Sequence, residues 1–563
     1  MAGLASGFLC AQPADLVLRN GRIVTLEASG TVQALAARGG KIVAVGTNRD
    51  VAPLTGPSTR IIDLNGRLAI PGLIEGHGHF MALGASKIEL NLRNARNWDE
   101  IVAMVGAAAR EARPGTWILG SGFHQAKWDK PPSPNVFGFP VHDALSKASP
   151  NNPVWLLHAS EHAGFANAEA MRLAGIDKNT PDPPGGQILK DAEGRPTGLM
   201  NEKAQALVNQ ALASYRAKLP PAEREAEARR QVELAEREAL SKGITTFEDA
   251  GSPMATIDLM KDLSEHGRLD IRVWMMLRQP NTEIEPYLKK YFFIGAGDQH
   301  LTVRAIKRQI DGALGSRGAL LLEPYSDLPP DAPNRSGLYT EDPSDIRKTA
   351  ELAIANGFQM CVHAIGDRAN REVLNLYESI FKEHPEKNGK TLRWRIEHAQ
   401  HLNVADIPRF AQLGVIAAMQ AVHCTSDAPF VPIRLGFKRA EEGAYVWQKL
   451  MKLGAVVGNG TDTPVEDVDP VAGYYASVSR KLKDGSIFFP DQRMSRLEAL
   501  RSYTVNNAYA AFEEDIKGSL KPGKLADITI LSKDILTIPE DEIPSAKVDY
   551  TIVGGKVKFQ SSN

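Results

Sequence analysis

The chain has 563 residues, past the size at which one hydrophobic core stops growing, so two or more structural units are expected. It is 43% hydrophobic and 24% charged with a formal net charge of −1, an ordinary globular balance that argues against a nucleic-acid partner. Its three cysteines, Cys10, Cys361 and Cys424, are too few and odd in number for a disulfide framework, no CxxC pair suggests a thiolate zinc site, and no apolar run reaches the ~18 to 20 residues of a membrane span.

At the N-terminus, Ala2 to Ala11 (AGLASGFLCA) is small and apolar, like the end of a signal-peptide core with its cleavage site, but a positive leading region is missing. Two readings stay open: the remnant of an export signal, with a periplasmic location, or a leader on a cytoplasmic protein. Residues 15–70 then read as all-β. Asp15–Ile23 (DLVLRNGRI) alternates around Asn20-Gly21, a hairpin signal, and Lys41–Gly46 and Arg60–Leu64 are further short strands. The C-terminus repeats this style in Ala526–Leu531 (ADITIL) and in Tyr550–Phe559, where Gly554-Gly555 separates two apolar runs. Residues 13–68 and 519–563 are therefore expected to build one small β-sandwich from both ends of the chain. Two independent β caps are the alternative.

Residues 69–518 alternate short apolar strands with helices, the pattern of a parallel α/β sheet. Eight strands are expected, at Ala69–Ile74, Ile244–Phe247, Ile271–Leu277, Thr302–Ile310, Gln359–Val362, Arg393–Ile396, Val415–Met419 and Ala455–Gly458. Eight is the number that closes a (β/α)8 barrel of the TIM type. Pro221–Leu240 is the clearest helix, rich in helix formers with charges spaced for i,i+4 pairing. The stretch 84–215 is too long for one loop and reads as a subdomain inserted after the first barrel strand, over the barrel mouth. Its aromatic residues Trp117, Trp128, Phe137, Phe139 and Trp155 serve either an apolar group of a substrate or the core of the insertion itself.

The chemistry concentrates at strand ends. Pro71–His79 (PGLIEGHGH) ends a strand with His77 and His79 two apart, so both rings lie on one side. Two adjacent imidazoles at a strand's C-terminal end can chelate one ion, and that end of a barrel carries catalysis. His363, His398 and Asp462 each follow a later apolar strand and complete a ligand set of imidazole and carboxylate type, suited to Zn2+ or a similar divalent transition ion, one or two in number. In Val303–Gly312 (VRAIKRQIDG) the alternation puts Lys307, Gln309 and Asp311 on one face. A lysine aimed into a barrel mouth is costly unless paired or modified. Three readings remain: a carbamate formed with CO2 and able to bridge two ions, a lysine paired to a carboxylate, or a Schiff-base lysine. On the opposite face Arg304 and Arg308 are left without an account.

These motifs resemble the amidohydrolase superfamily, in its amidohydrolase-3 branch with the N-substituted formamide deformylase-like enzymes. The resemblance covers nearly the whole chain, through ADLVLRNGRIVTL, PGLIEGHGH, GITTFEDAG, KRQIDGALGSR, VHAIGDRA, RIEHAQ, MQAVHCTSD, GTDTPVEDVDP and GSLKPGKLADITIL. It implies a barrel with His77 and His79 on the first strand, a carboxylated Lys307 on the fourth, His363 on the fifth, His398 on the sixth and Asp462 on the eighth. Three positions depart from the family pattern. Glu75 replaces an aspartate before the first histidine, Thr463 replaces a tryptophan, and Phe123-His124 replaces a tryptophan-aspartate pair; the last two bear on the substrate.

The expected activity is metal-dependent hydrolysis of a carbon–nitrogen bond in a small molecule, with Asp462 as general base and then acid. A lyase or isomerase on the same barrel, or a binding protein without activity, are the competing classes. His423 and Arg317 are candidate donors to the developing oxyanion, and His158 and His162 are candidate substrate contacts from the insertion. His401 is expected behind the ligands or at the surface. A homo-oligomer is compatible with all of this.

Overall fold

The computed structural model describes residues 12–159, 162–332 and 334–562; residues 1–11, and with them the reading of a leader, lie outside the described residues. Eight parallel strands pair in sequence order: β1 (Leu73–Gly78), β2 (Ile244–Ser252), β3 (Arg272–Leu277), β4 (Leu301–Gln309), β5 (Gln359–Ala364), β6 (Arg395–His398), β7 (Ile416–Met419) and β8 (Val457–Asn459). Their faces are almost entirely buried, as strands sandwiched between a filled interior and a ring of helices must be. The pairing path runs from β1 to β8, and the Asn507 side chain bridges the remaining seam. Its Nδ2 donates to Ile74 O on β1 at 2.9 Å and to Asn459 O on β8 at 2.8 Å, while its Oδ1 accepts from Asn459 N at 3.1 Å. Gly76 makes room for it, since a Cβ there would stand 2.6 Å from the Asn507 amide.

The first strand begins later than the apolar pattern suggests. Ala69–Ile74 is divided between two sheets: Leu68–Pro71 pairs with the C-terminal strand Ile528–Leu531, and only from Leu73 does the chain enter the barrel. The break falls at Gly72, where a side chain would collide with Thr245, 2.1 Å from an added Cβ. Likewise Asn20-Gly21 is not a hairpin turn. Leu16–Arg19 lies in a four-stranded sheet, and Arg22–Val24 in a six-stranded one. Asn20, with φ 55°, passes the chain from one sheet to the other. The six-stranded sheet runs Lys556–Gln560, Val548–Val553, Ile528–Leu531, Leu68–Pro71, Arg22–Val24, Thr31–Val32, so strands from both chain ends share it. Leu16, Leu18, Ile23, Leu35, Ile62, Ile528, Ile530 and Ile552 fill the space between the two sheets.

Between the helix Phe80–Ser86 and the helix Pro221–Ser241, the chain forms another six-stranded sheet flanked by helices, among them Trp98–Glu111 and Gln205–Lys218. The aromatics of this segment build its own cores. Trp117 and Trp155 are buried in one cluster and Trp128 and Phe139 pack against another, while Phe137 is 89% exposed.

The two arginines on the outer face of β4 have partners. Arg304 stacks its guanidinium 3.7 Å over the Phe512 ring, and Arg308 donates to Thr349 Oγ1 and Asn281 Oδ1, each at 2.7 Å. No helix among the described residues is long and apolar enough to cross a membrane.

Candidate metal centre

His77 is the penultimate residue of β1 and fully buried, and His79 caps the start of the next helix. Asp462, three residues past β8, reaches back across the seam: its backbone N donates to His77 O at 2.7 Å, and its Oδ1 lies 3.5 Å from His77 Nε2 and 3.2 Å from His79 Nε2. Its φ of 56° is left-handed, an unfavourable conformation for a non-glycine residue and a common mark of functional positions.

His398 closes β6 with φ 78°. In regular strand geometry it would alternate with Glu397 and face away from it. The left-handed backbone instead brings its ring centroid to 4.7 Å from that of His77 and 4.3 Å from that of His363. Its Nδ1 bonds Gln420 Oε1 at 2.8 Å. Lys307 on β4 and His363 on β5 are buried beside these rings, with Gln309 aligned to His363 across the two strands. Lys307 is 2% exposed, yet among the described residues no carboxylate lies within ion-pairing distance of its amine. Burial lowers its pKa to about 8.

His79, Lys307, His363, His398 and Asp462 all line one cavity of about 1160 Å3 at the C-terminal end of the barrel. Among the described residues, two groups are compact enough to hold an ion, with donor atoms mutually within 4.8 Å: His77, His79 and Asp462, and His398, His423 and Asp462. The donor set is chemically right for a divalent transition ion. His77 Nε2 and His363 Nε2 are buried with no hydrogen-bond partner among the described residues, which costs roughly 1–3 kcal/mol for a polar group unless something else satisfies it. A cation bound there would satisfy both. Burial, reinforced by the nearby Lys307, lowers His77 to about 4 and keeps it neutral, the form a ligand needs. Burial opposes ionisation of Asp462, but hydrogen bonds from His423 and His79 hold it well below the usual carboxylate range.

His423 is not on the cavity lining but lies directly behind Asp462, its Nε2 3.4 Å from Asp462 Oδ2 and its Nδ1 3.7 Å from Glu466 Oε1. Burial works against its charge, yet these two carboxylates raise it to about 10. His162 does line the cavity, 6.1 Å from the His363 ring, with Nδ1 bonded to Glu202 Oε2 at 2.8 Å. The structure does not bring the other two insertion and loop candidates to the cavity wall. His158 packs edge-on against Phe123 and tilted against His124 and bonds Gln125, and Arg317 pairs with Asp327 at 2.7 Å. His401 is buried against Tyr445 and lines a separate cavity with Tyr325 and Leu402. Of the departures from the family pattern, Glu75 is buried, accepts from Thr461 N at 2.5 Å and is raised by burial to about 8. Thr463 is buried beside Asp462.

Sequence reasoning missed Glu202 and the buried trio Glu248, Arg395 and Glu397. A signal for the trio existed: Arg395 and Glu397 are two apart on a strand, hence on the same inward face as no apolar core would choose.

A barrel whose strand ends gather histidines and an aspartate around one cavity defines a hydrolase scaffold, and the comparisons agree. The chain belongs to the amidohydrolase family, whose model matches residues 60–559. It is similar to Protein LONG AFTER FAR-RED 3 of Arabidopsis thaliana, 33% identical over 96% of this chain and 91% of that one. It is also similar to an N-substituted formamide deformylase of Arthrobacter pascens, 26% identical over 98% of this chain and 99% of that one. Among solved structures, an uncharacterised metal-dependent hydrolase of Pyrococcus horikoshii superposes with a TM-score of 0.74 at 25% identity, over 93% of this chain and 99% of that one. The protein is accordingly an enzyme of the hydrolase type on an amidohydrolase barrel.

Proposed function

We propose that the protein hydrolyses a carbon–nitrogen bond in a small amide, formamide or related compound, using one or two divalent ions of the Zn2+ type. The observation that carries this reading is the convergence of His77, His79, Lys307, His363, His398 and Asp462 from five separate strand ends around one cavity. The likeness to a formamide deformylase supports the bond class. An ion held by these residues would supply a water of lowered pKa, about 7, and a Lewis acid for a carbonyl oxygen. Asp462, ionised and facing the cavity, would accept a proton from the attacking water at its carboxylate and return it to the leaving amine. His423, charged behind Asp462, holds the carboxylate in place and adds positive potential where negative charge develops. Lys307 is proposed as a carbamate, an anion that would remove the conflict between a buried ammonium and a divalent ion and would help hold that ion. His162, held by Glu202, contacts the substrate from the insertion side.

Purified protein should carry about one to two equivalents of metal, and chelation should abolish turnover. A panel of N-acyl, N-formyl, carbamate and cyclic amide substrates in ¹⁸O water identifies the bond, since hydrolysis places the label in the carboxylate product. Full activity in metal-free protein, or turnover without label incorporation, removes this reading in favour of a metal-independent enzyme or of a lyase or isomerase.

A further inference from the structure

Below the cavity floor lies a chain of charged groups fully shielded from solvent. Arg395 on β6 is 1% exposed, and Glu397 on the same strand and Glu248 on β2 are 0% exposed. Arg395 Nε donates to Glu397 Oε1 at 2.7 Å and Nη2 to Oε2 at 3.1 Å; Nη1 bonds Glu248, and Nη2 also reaches Gly76 O on β1 at 2.7 Å. The far carboxylate oxygen, Glu397 Oε2, makes a close hydrogen bond with His77 Nδ1. The indole of Trp274 flanks the guanidinium, with its ring 5.7 Å away.

We propose that Glu397 is a positioning residue that fixes the tautomer of His77, so that Nδ1 carries the proton and Nε2 offers its lone pair to the ion. The argument is one of donors and acceptors. A guanidinium has donors only and does not lose its proton in proteins. Arg395 therefore forces both Glu397 oxygens to accept, which leaves His77 Nδ1 as the donor in its contact with Oε2. The remaining ring nitrogen, Nε2, is the one that points at Asp462 and has no hydrogen-bond partner among the described residues. Polarity is set at Arg395 and passed through Glu397 to the metal-facing atom. The same guanidinium clamps the backbone of Gly76, the residue before His77, so ring orientation and strand position are fixed together. Carboxylate–histidine pairs of this kind raise the basicity of a ligand and commonly affect metal affinity by about 10- to 100-fold.

The inference rests on His77 being a ligand, and the test separates the two claims. In metal-free protein labelled with ¹⁵N-histidine, long-range ¹H–¹⁵N spectra report which ring nitrogen bears the proton, with the His77 signal assigned by its loss in His77→Ala. The expected wild-type state is protonated Nδ1 and bare Nε2. In Glu397→Gln the single amide oxygen is claimed by Arg395 Nε, the NH2 group turns toward His77 Nδ1, and the proton moves to Nε2. Metal affinity, measured by competition with a chelator, should fall about 10- to 100-fold. Glu248→Gln removes the other carboxylate on Arg395 without touching His77, and should leave the tautomer unchanged. A wild-type His77 protonated on Nε2, or a Glu397→Gln protein with the wild-type tautomer, overturns the proposal, and the wild-type measurement decides even where the variant fails to fold. An inverted tautomer with unchanged metal affinity upholds the positioning role and instead overturns His77 as a ligand.

Discussion

Arg272 and Asp527, 255 positions apart, form a bidentate pair shielded from solvent, with Nε to Oδ2 at 2.8 Å and Nη2 to Oδ1 at 3.0 Å. Arg272 begins barrel strand β3, and Asp527 immediately precedes the C-terminal strand Ile528–Leu531. Asp527 Oδ1 also accepts from Gly554 N at 2.8 Å, so one carboxylate ties the barrel to the sheet shared by the two chain ends.

Removing that carboxylate should weaken the whole fold. Asp527→Ala leaves the Arg272 charge buried and is expected to cost about 3–5 kcal/mol in urea unfolding. The pH dependence follows from the direction of the shift. Burial raises the Asp527 pKa, but the Arg272 contact outweighs it and holds the carboxyl below its ordinary value. Its contribution is then complete above the unfolded carboxylate range, near ~4, and is lost as pH falls through the lower native value. Asp527→Asn should show a shallower loss of stability on acidification than the wild type. Equal acid limbs in the two proteins would assign the effect to other carboxylates.

Under the proposed function, Lys307 is the residue that tests one ion against two. An unmodified ammonium about 4 Å from a positive ion costs roughly 4 kcal/mol at an effective dielectric of 20 for each unit of charge, whereas a carbamate reverses the sign. Lys307→Ala should therefore lose activity and at least one metal equivalent, and short carboxylic acids should restore part of both. Protein equilibrated with ¹³C-bicarbonate should show a carbamate resonance that is missing in the variant. A bare amine beside a fully occupied ion in high-resolution density would refute the modification.

His162 tests the role of the insertion. It lines the cavity, but its partner is Glu202, on the strand Pro196–Glu202, which also accepts from Ser316 Oγ at 3.1 Å on the loop after β4. His162→Ala should raise KM or lower kcat by about tenfold or more with metal content unchanged, the signature of a lost substrate contact. Glu202→Gln should shift the same parameter in the same direction by less. Loss of metal from the His162 variant would place that ring among the ligands.

Much of this site was legible because its signals are local. A His-x-His pair at the end of an apolar run, and single His or Asp residues after later runs, report strand ends directly, since strand side chains alternate with period two. The same rule put Lys307 on the inward face of β4. It misplaced the start of β1, because Leu68–Pro71 and Leu73–Gly78 form one apolar stretch in sequence and only the approach of Thr245 to Gly72 divides them. It also took Asn20-Gly21 for a hairpin, since a left-handed asparagine serves a turn and a sheet-to-sheet crossing equally well.

The sequence by itself determined the alternating βα pattern, the eight strands and the residue types able to hold a divalent ion, because hydrophobic period and donor chemistry are carried by residues close along the chain. Tertiary structure alone decided which donors meet. His398 reaches the centre only because its backbone turns left-handed, and Asp462 only because the end of β8 folds back onto His77. Glu397 faces His77 across 320 positions, and Asn507 closes the barrel from a helix beyond the last strand. Such contacts depend on strand register and on backbone angles set by packing of the whole barrel, and no local period encodes them.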